Sequence, residues 1–224
     1  MKRTNGTERV LVRATAREGR VRALSVDTTE IVAELRRIHG TDPAVTAALG
    51  RTVTGALLLS ALLKEERHSV TLRIQGDGPA GTLIASANGA GEVRGLVGNP
   101  RPDVEQARDG KLNVSGVVGR TGRLAVTRDL GLRQPYIGTV ELVSGEIGDD
   151  LAHYLARSEQ VPSAVGIGVY VQADGSVEAA GGYMVQLLPE ADDTDADAVE
   201  TAVRALPHPT VMLREGDTPE KMLA

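Results

Sequence analysis

The order of apolar and polar positions along the chain alternates between two periods. Glu8–Arg17 and Arg20–Val26 read as strands, with Glu18-Gly19 as the turn between them. Thr28 or Thr29 then caps a helix reaching His39, with Ile31, Leu35 and Ile38 on one face and Gly40 as its stop. Asp42-Pro43 is the strongest helix start, a cap carboxylate followed by proline at the first helical position. This second helix is expected to run to about Glu66. Its second half, Val53–Leu63, is apolar almost all round and should therefore lie buried through the domain centre.

After Ser69 the pattern changes to strands punctuated by Gly, Pro and Asn. Strands are expected at Ser69–Gln75, Thr82–Asn88, Glu92–Val97, Asn113–Val118, Arg123–Arg128 and Tyr136–Ser144. A helix at about Gly148–Glu159 turns Leu151, Tyr154 and Leu155 inward. Strands Ala164–Gln172 and Val177–Leu188 follow, joined by the turn Ala173-Asp174-Gly175-Ser176. Strands and helices come in blocks, without βαβ alternation. The fold class this predicts is α+β, a largely antiparallel sheet core with packed helices over residues 1–189.

Pro189 closes the last strand, and residues 190–224 read as an acidic, helical linker arm. Glu190–Asp197 carries five acids in eight residues and suits a solvated linker. Thr194 can cap an amphipathic helix with Val199, Val203 and Leu206 at i, i+4 and i+7, which Pro207-His208-Pro209 ends. Asp217-Thr218-Pro219-Glu220 signals another helix start just before Ala224, so the natural sequence is expected to continue, truncated here inside the arm.

Composition narrows the chemistry. The 224 residues are 41% hydrophobic and 25% charged, enough to build a core. No Cys is present, which removes disulfides, thiolate metal sites and cysteine nucleophiles from these residues. Aromatics are 2%, with no Phe or Trp, so stacking platforms for single-stranded nucleic acid are not expected. Charge is unevenly spread: Met1–Leu132 holds 20 Lys/Arg against 14 Asp/Glu, and Arg133–Ala224 holds 5 against 16. A basic and an acidic face that cover each other account for this better than a nucleic-acid surface does. Met1–Arg9 is polar, and the longest apolar stretch, Gly55–Leu63, contains Ser60 and is too short to span a membrane. A cytoplasmic protein with no membrane partner is the expectation.

Gly76-Asp77-Gly78-Pro79-Ala80-Gly81 spells G-x-G-x-x-G, but Pro79 interrupts it and a strand follows instead of a helix. It reads as a tight strand–turn–strand connection. The alternative is an anion- or nucleotide-binding enzyme using this turn with Arg94 and Arg101. His39, His68, His153 and His208 lack metal-ligand spacing, and no nucleophile elbow or phosphate loop is present. The residues name no catalytic set, and a binding or chaperone-like role leads an enzymatic one.

Four stretches carry a resemblance: Arg73–Pro79 (RIQGDGP), Val93-Arg94-Gly95 with Gly98-Asn99-Pro100, Tyr154–Ser163 (YLARSEQVPS), and Ala179–Pro189 (AAGGYMVQLLP). In this order and spacing the chain resembles the 33-kDa heat-shock protein family over nearly its whole length. That resemblance implies an ATP-independent, redox-regulated holdase of the stress response. It would bind unfolding or oxidatively damaged client proteins and prevent their aggregation. It also implies a homodimer whose linker arms can exchange between subunits, and a C-terminal zinc switch built on C-x-C and C-x-x-C pairs. This chain departs at that point, having no Cys; no cofactor is expected within it, and the family's zinc would be bound by cysteines beyond Ala224. Client binding needs reachable apolar surface rather than a pocket. The arm residues Val199, Val203, Leu206, Val211, Met212 and Leu213 are the candidates for client or dimer contact, covering such a surface or leaving it.

Overall fold

A computed structural model describes residues 11–102, 104 and 112–224. The first three residues of the expected strand Glu8–Arg17 lie outside them. Strands β1 (Leu11–Ala16) and β2 (Val21–Asp27) form a hairpin through a short turn at Arg17–Gly19, where Arg17 and Glu18 both take positive φ. They pair antiparallel with β9 (Val177–Leu187), which pairs with β8 (Ser163–Val171), giving a four-stranded sheet ordered β1-β2-β9-β8. A second antiparallel sheet, ordered β5-β4-β3-β6-β7, is built from β3 (Ser69–Gly76), β4 (Thr82–Asn88), β5 (Val93–Val97), β6 (Gly122–Asp129) and β7 (Tyr136–Glu141). The α+β class is as expected.

Helix α1 (Thr29–His39) ends on Gly40 in the left-handed region, φ 61°, as the stop signal required. Helix α2 (Pro43–Ser60) packs against strands of both sheets, so the all-round apolar segment does lie in the middle of the molecule. Its one charge, Arg51, is largely buried and meets Glu146 at 2.6 Å. The helix stops at Ser60, short of Glu66. Ser60 Oγ donates to the Leu57 carbonyl at 2.8 Å, and Leu62 and Leu63 N–H groups tighten to i−3 carbonyls. Lys64–Arg67 carry four charges that cannot continue between two apolar sheets, so the chain turns out to solvent there.

Asn113–Val118 is the clear correction. It forms not a strand but α3 (Val114–Val118), with the Asn113 side chain accepting from the Gly116 N–H at 2.9 Å. Val114, Val117 and Val118 sit at i, i+3 and i+4 and enter the main core, so burial and capping override the β-propensity of valine. Helix α4 (Gly148–Arg157) lies over β6, β7 and β8. Three helices close the chain: α5 (Asp193–Ala205), α6 (Pro209–Arg214) and α7 (Pro219–Met222). These pack on the strands of the first sheet.

The alternation within β2 and β9 shows why that sheet needs covering twice. Leu24, Val26 and Met184 point into the main core, whereas Val21, Ala23, Tyr183 and Val185 point to the opposite face. A strand apolar on both faces must be covered on both. Layers therefore run C-terminal helices, four-stranded sheet, central helices, five-stranded sheet.

Candidate functional site

The seam between the C-terminal helices and the four-stranded sheet has a small apolar core of its own. Tyr183, Met212 and Met222 are buried there, with Val185, Val203, Leu206, Leu213 and Leu223 packed around them. Beside this core runs a groove of about 370 Å³, walled by Val21, Ala23 and Val185 from the sheet, by Val199 and Val203 from α5, and by Leu206 just after it. Of the arm residues singled out in the sequence, Met212 is buried, Val199, Val203, Leu206 and Leu213 are half-buried in or beside the seam, and Val211 is 40% exposed.

Glycines let α6 approach. A Cβ at Gly168 would stand 2.3 Å from the His208 ring and 2.7 Å from Thr210 Cγ2, and one at Gly181 would stand 2.8 Å from Leu213 Cδ1. The strands thus present bare backbone where the helix sits. His208 Nδ1 lies 2.8 Å from Thr210 Oγ1 and caps α6. Burial, and secondarily the charge of Arg51, pushes the His208 imidazole below its ordinary value.

Polar contacts pin the rim. The acidic stretch 190–197 is not a solvated linker throughout, because Asp195 has no exposed side-chain surface and α5 starts within that stretch. Arg20 Nε donates to Asp195 Oδ2 at 2.7 Å, and Arg17 Nε lies 3.5 Å from Oδ1. The cap is Asp192 rather than Thr194: Asp192 Oδ1 accepts from the Asp195 N–H at 3.0 Å, and Asp195 Oδ2 accepts from the Asp192 N–H at 3.2 Å. The hydrogen bond from Arg20 is the main reason the Asp195 carboxyl is held below the usual carboxylate range, against the opposing effect of burial. Further on, Ser25 Oγ donates to the Pro219 carbonyl at 2.6 Å, and Arg214 meets Glu178 at 3.1 Å while its guanidinium lies over the Tyr170 ring.

The other motif readings resolve differently. The Gly76–Gly81 turn is filled by protein: a Cβ at Gly76 would stand 2.0 Å from the Val118 carbonyl oxygen, and one at Gly78 would stand 2.4 Å from that of Val117. Gly76 and Gly78 serve close packing on α3, where a phosphate would have no room, and Gly81 takes a positive φ of 69° in the turn. Arg101 donates to the Gly40 carbonyl at 2.7 Å, and Arg94 stands on the outer face of the other sheet. Among the described residues no group of three or more His, Asp or Glu could hold a metal ion, and no helix is long and apolar enough to cross a membrane.

The family model described as Hsp33 protein matches residues 10–224. The chain belongs to the Hsp33 family. A 33 kDa chaperonin from Geobacter sulfurreducens is 50% identical over 98% of this chain and 73% of that protein. One from Symbiobacterium thermophilum is 52% identical over 96% of this chain and 72% of that protein. The crystal structure of the 33 kDa chaperonin from Thermotoga maritima has 38% identity and a TM-score of 0.88, covering 95% of this chain and 72% of that one. The chain is thus a member of a chaperone family, as the four quoted stretches implied.

Within the Hsp33 fold those stretches do structural work. Glu159 Oε1 accepts from Arg128 Nη2 at 2.6 Å and from the Tyr154 hydroxyl at 3.0 Å, tying β6 to the end of α4. Burial first, and the Glu159 carboxylate second, raise the Tyr154 phenol well above its ordinary value. The seam residues Arg20 and Asp195 were not singled out in the sequence, and Tyr183 stood out there only as part of the Ala179–Pro189 stretch. Two-sided apolarity in Arg20–Val26 and Ala179–Leu188 was the available signal for the sheet wall, whereas nothing local links Arg20 to Asp195.

Proposed function

We propose that this chain is the client-binding body of an ATP-independent holdase of the cytoplasm, which captures unfolding or oxidatively damaged proteins and keeps them from aggregating. The observation that carries the reading is the seam: an apolar sheet face covered by short helices through a small core separate from the main one. Such a cover can leave without unfolding what lies beneath, and it would then expose aliphatic surface to a client. Residues 1–189 act as the body and 190–224 as the arm. Val199, Val203, Leu206, Met212 and Leu213 meet the sheet when the arm is docked and meet clients, or a second subunit, when it is not. Val211, at the exposed edge of α6, joins that contact surface. Exchange of arms between two subunits would use the same contacts and give a homodimer.

Redox regulation through zinc belongs to the family reading and not to these residues. With no Cys in the chain and no metal cluster among the described residues, nothing here fits that zinc, and no step is assigned to it. Peroxide should accordingly leave this chain's activity unchanged through cysteine chemistry.

The test is light scattering from a thermally or chemically denaturing client without nucleotide. Suppression that rises with chaperone concentration is expected. No suppression at a several-fold molar excess overturns the reading.

A further inference from the structure

Among the described residues, the five-stranded sheet is covered on one side only. Helices α2, α3 and α4 pack on the side that carries Leu72, Leu83 and Leu124, and the opposite side faces solvent. Strand register fixes what that open side presents. Leu96 pairs with Ile84, Ile84 with Arg73 and Arg73 with Ala125, forming one cross-strand row. Arg94 and Ile137 belong to the neighbouring row on one side, and Arg123 to the neighbouring row on the other.

Leu96 and Ile137 are 48% and 60% exposed, and Arg73 and Arg94 are exposed with no ion-pair partner among the described residues. The acids on this side already have partners: Glu92, which lies beside Arg94, accepts from Asn88 Nδ2 at 2.8 Å. Glu141 is paired with Arg123 at 2.9 Å, and Asp129 accepts from the Gly131 N–H of its own turn. The face thus carries Leu96 and Ile84 on one side and Ile137 on the far edge strand, with Arg73 on the central strand and Arg94 beside Leu96 as cations without an ion pair among the described residues, and no aromatic side chain among the outward positions.

We infer that this open face docks extended polypeptide segments rich in acidic and aliphatic residues. This deepens the holdase reading and rests on it. Aliphatic side chains of the segment cover Ile84, Leu96 and Ile137, and its carboxylates pair with Arg73 and Arg94. The face lies on the far side of the molecule from the arm, so it remains available when the arm is docked. Single-stranded nucleic acid fits it poorly, because an open sheet reads bases by stacking them on aromatic rings.

The experiment measures fluorescence anisotropy of short unstructured probe peptides binding to the 224-residue chain. One probe is built from Leu, Ser and Glu, the other from Leu, Ser and Lys. The acidic probe should bind about 10-fold more tightly or better, and high salt should weaken it. Arg73→Glu with Arg94→Glu should abolish that preference. Arg73→Gln with Arg94→Gln should reduce it without the risk of reversed charge to folding. Leu96→Ser should weaken the acidic probe while leaving its salt dependence intact.

Equal binding of the two probes, or binding unchanged in both arginine variants, overturns the inference. So does displacement of the acidic probe by an oligonucleotide of equal charge, or a salt-sensitive self-association lost in Arg73→Gln, which would make a second copy the occupant. The light-scattering assay separates the two levels. Suppression by the unsubstituted chain without any probe preference removes this inference alone, and absence of suppression removes the holdase reading.

Discussion

Gly168→Val tests whether the arm is a detachable cover. The substitution suits the strand itself: Gly168 lies inside β8 without positive φ, and replacing glycine in an extended segment is worth roughly 0.5–1 kcal/mol. On the seam side it does not fit. Its Cβ would come within 2.3 Å of the His208 ring and 2.7 Å of Thr210 Cγ2, so α6 must shift outward by more than an ångström. Overpacking of this kind costs about 1–3 kcal/mol, and it falls on the docking of α6, not on β8. A net loss of about 2 kcal/mol would raise the undocked fraction of the arm by about 30-fold. Hydrogen exchange read by mass spectrometry checks this segment by segment. Amides of 206–216 should exchange faster by about that factor, while those of α2 and β3 stay protected. Client suppression in light scattering should rise if the covered face is a client surface. The reasoning is refuted if exchange in 206–216 is unchanged, or if it accelerates equally in α2, since the seam would then be continuous with the main core.

Three further outcomes follow from the geometry. Asp195 has a depressed pKa when docked, so its contribution to arm docking is fully present above the ordinary carboxylate value of 3.8 and is lost as pH falls through the lower, docked value; exchange of α5 amides should show this acid limb, and Arg20→Ala should flatten it. His208 is also depressed, from 6.5, so α6 docking should hold above that pH and weaken progressively below it, a dependence that His208→Gln should remove in the same exchange measurement. Tyr154→Phe deletes the buried donor to Glu159 and should cost about 1–2 kcal/mol in urea unfolding, with Arg128 still paired to the carboxylate.

How much of this could be read from the chain alone follows from the range of each interaction. Gly40, Asp42-Pro43, and the turn at Ala173–Ser176 act within a few residues, and the boundaries they announce are where the structure has them. The all-round apolar stretch of α2 announced a helix with no solvent face. The four family stretches were legible because they sit together in order along the chain. Two boundaries failed for tertiary reasons. Asn113–Val118 is valine-rich and short, and it is helical because its side chains complete the core above α2. The end of α2 is set by where the two sheets stop covering it, which Lys64–Arg67 cannot reveal from their own helix propensity.

The fold class, the family and the lack of thiol chemistry within these 224 residues were legible from the chain, since each depends on composition or on patterns within one segment. That the acidic stretch holds a buried carboxylate depends on tertiary contact, because Asp195 acquires its meaning from Arg20, in the turn before β2 and 175 residues away. Only the tertiary structure likewise decided that Gly168 and Gly181 are the seat of α6, and that, among the described residues, one sheet is covered on both faces while the other lies open. Those are properties of surfaces assembled from distant segments, and no local pattern encodes which surface meets which.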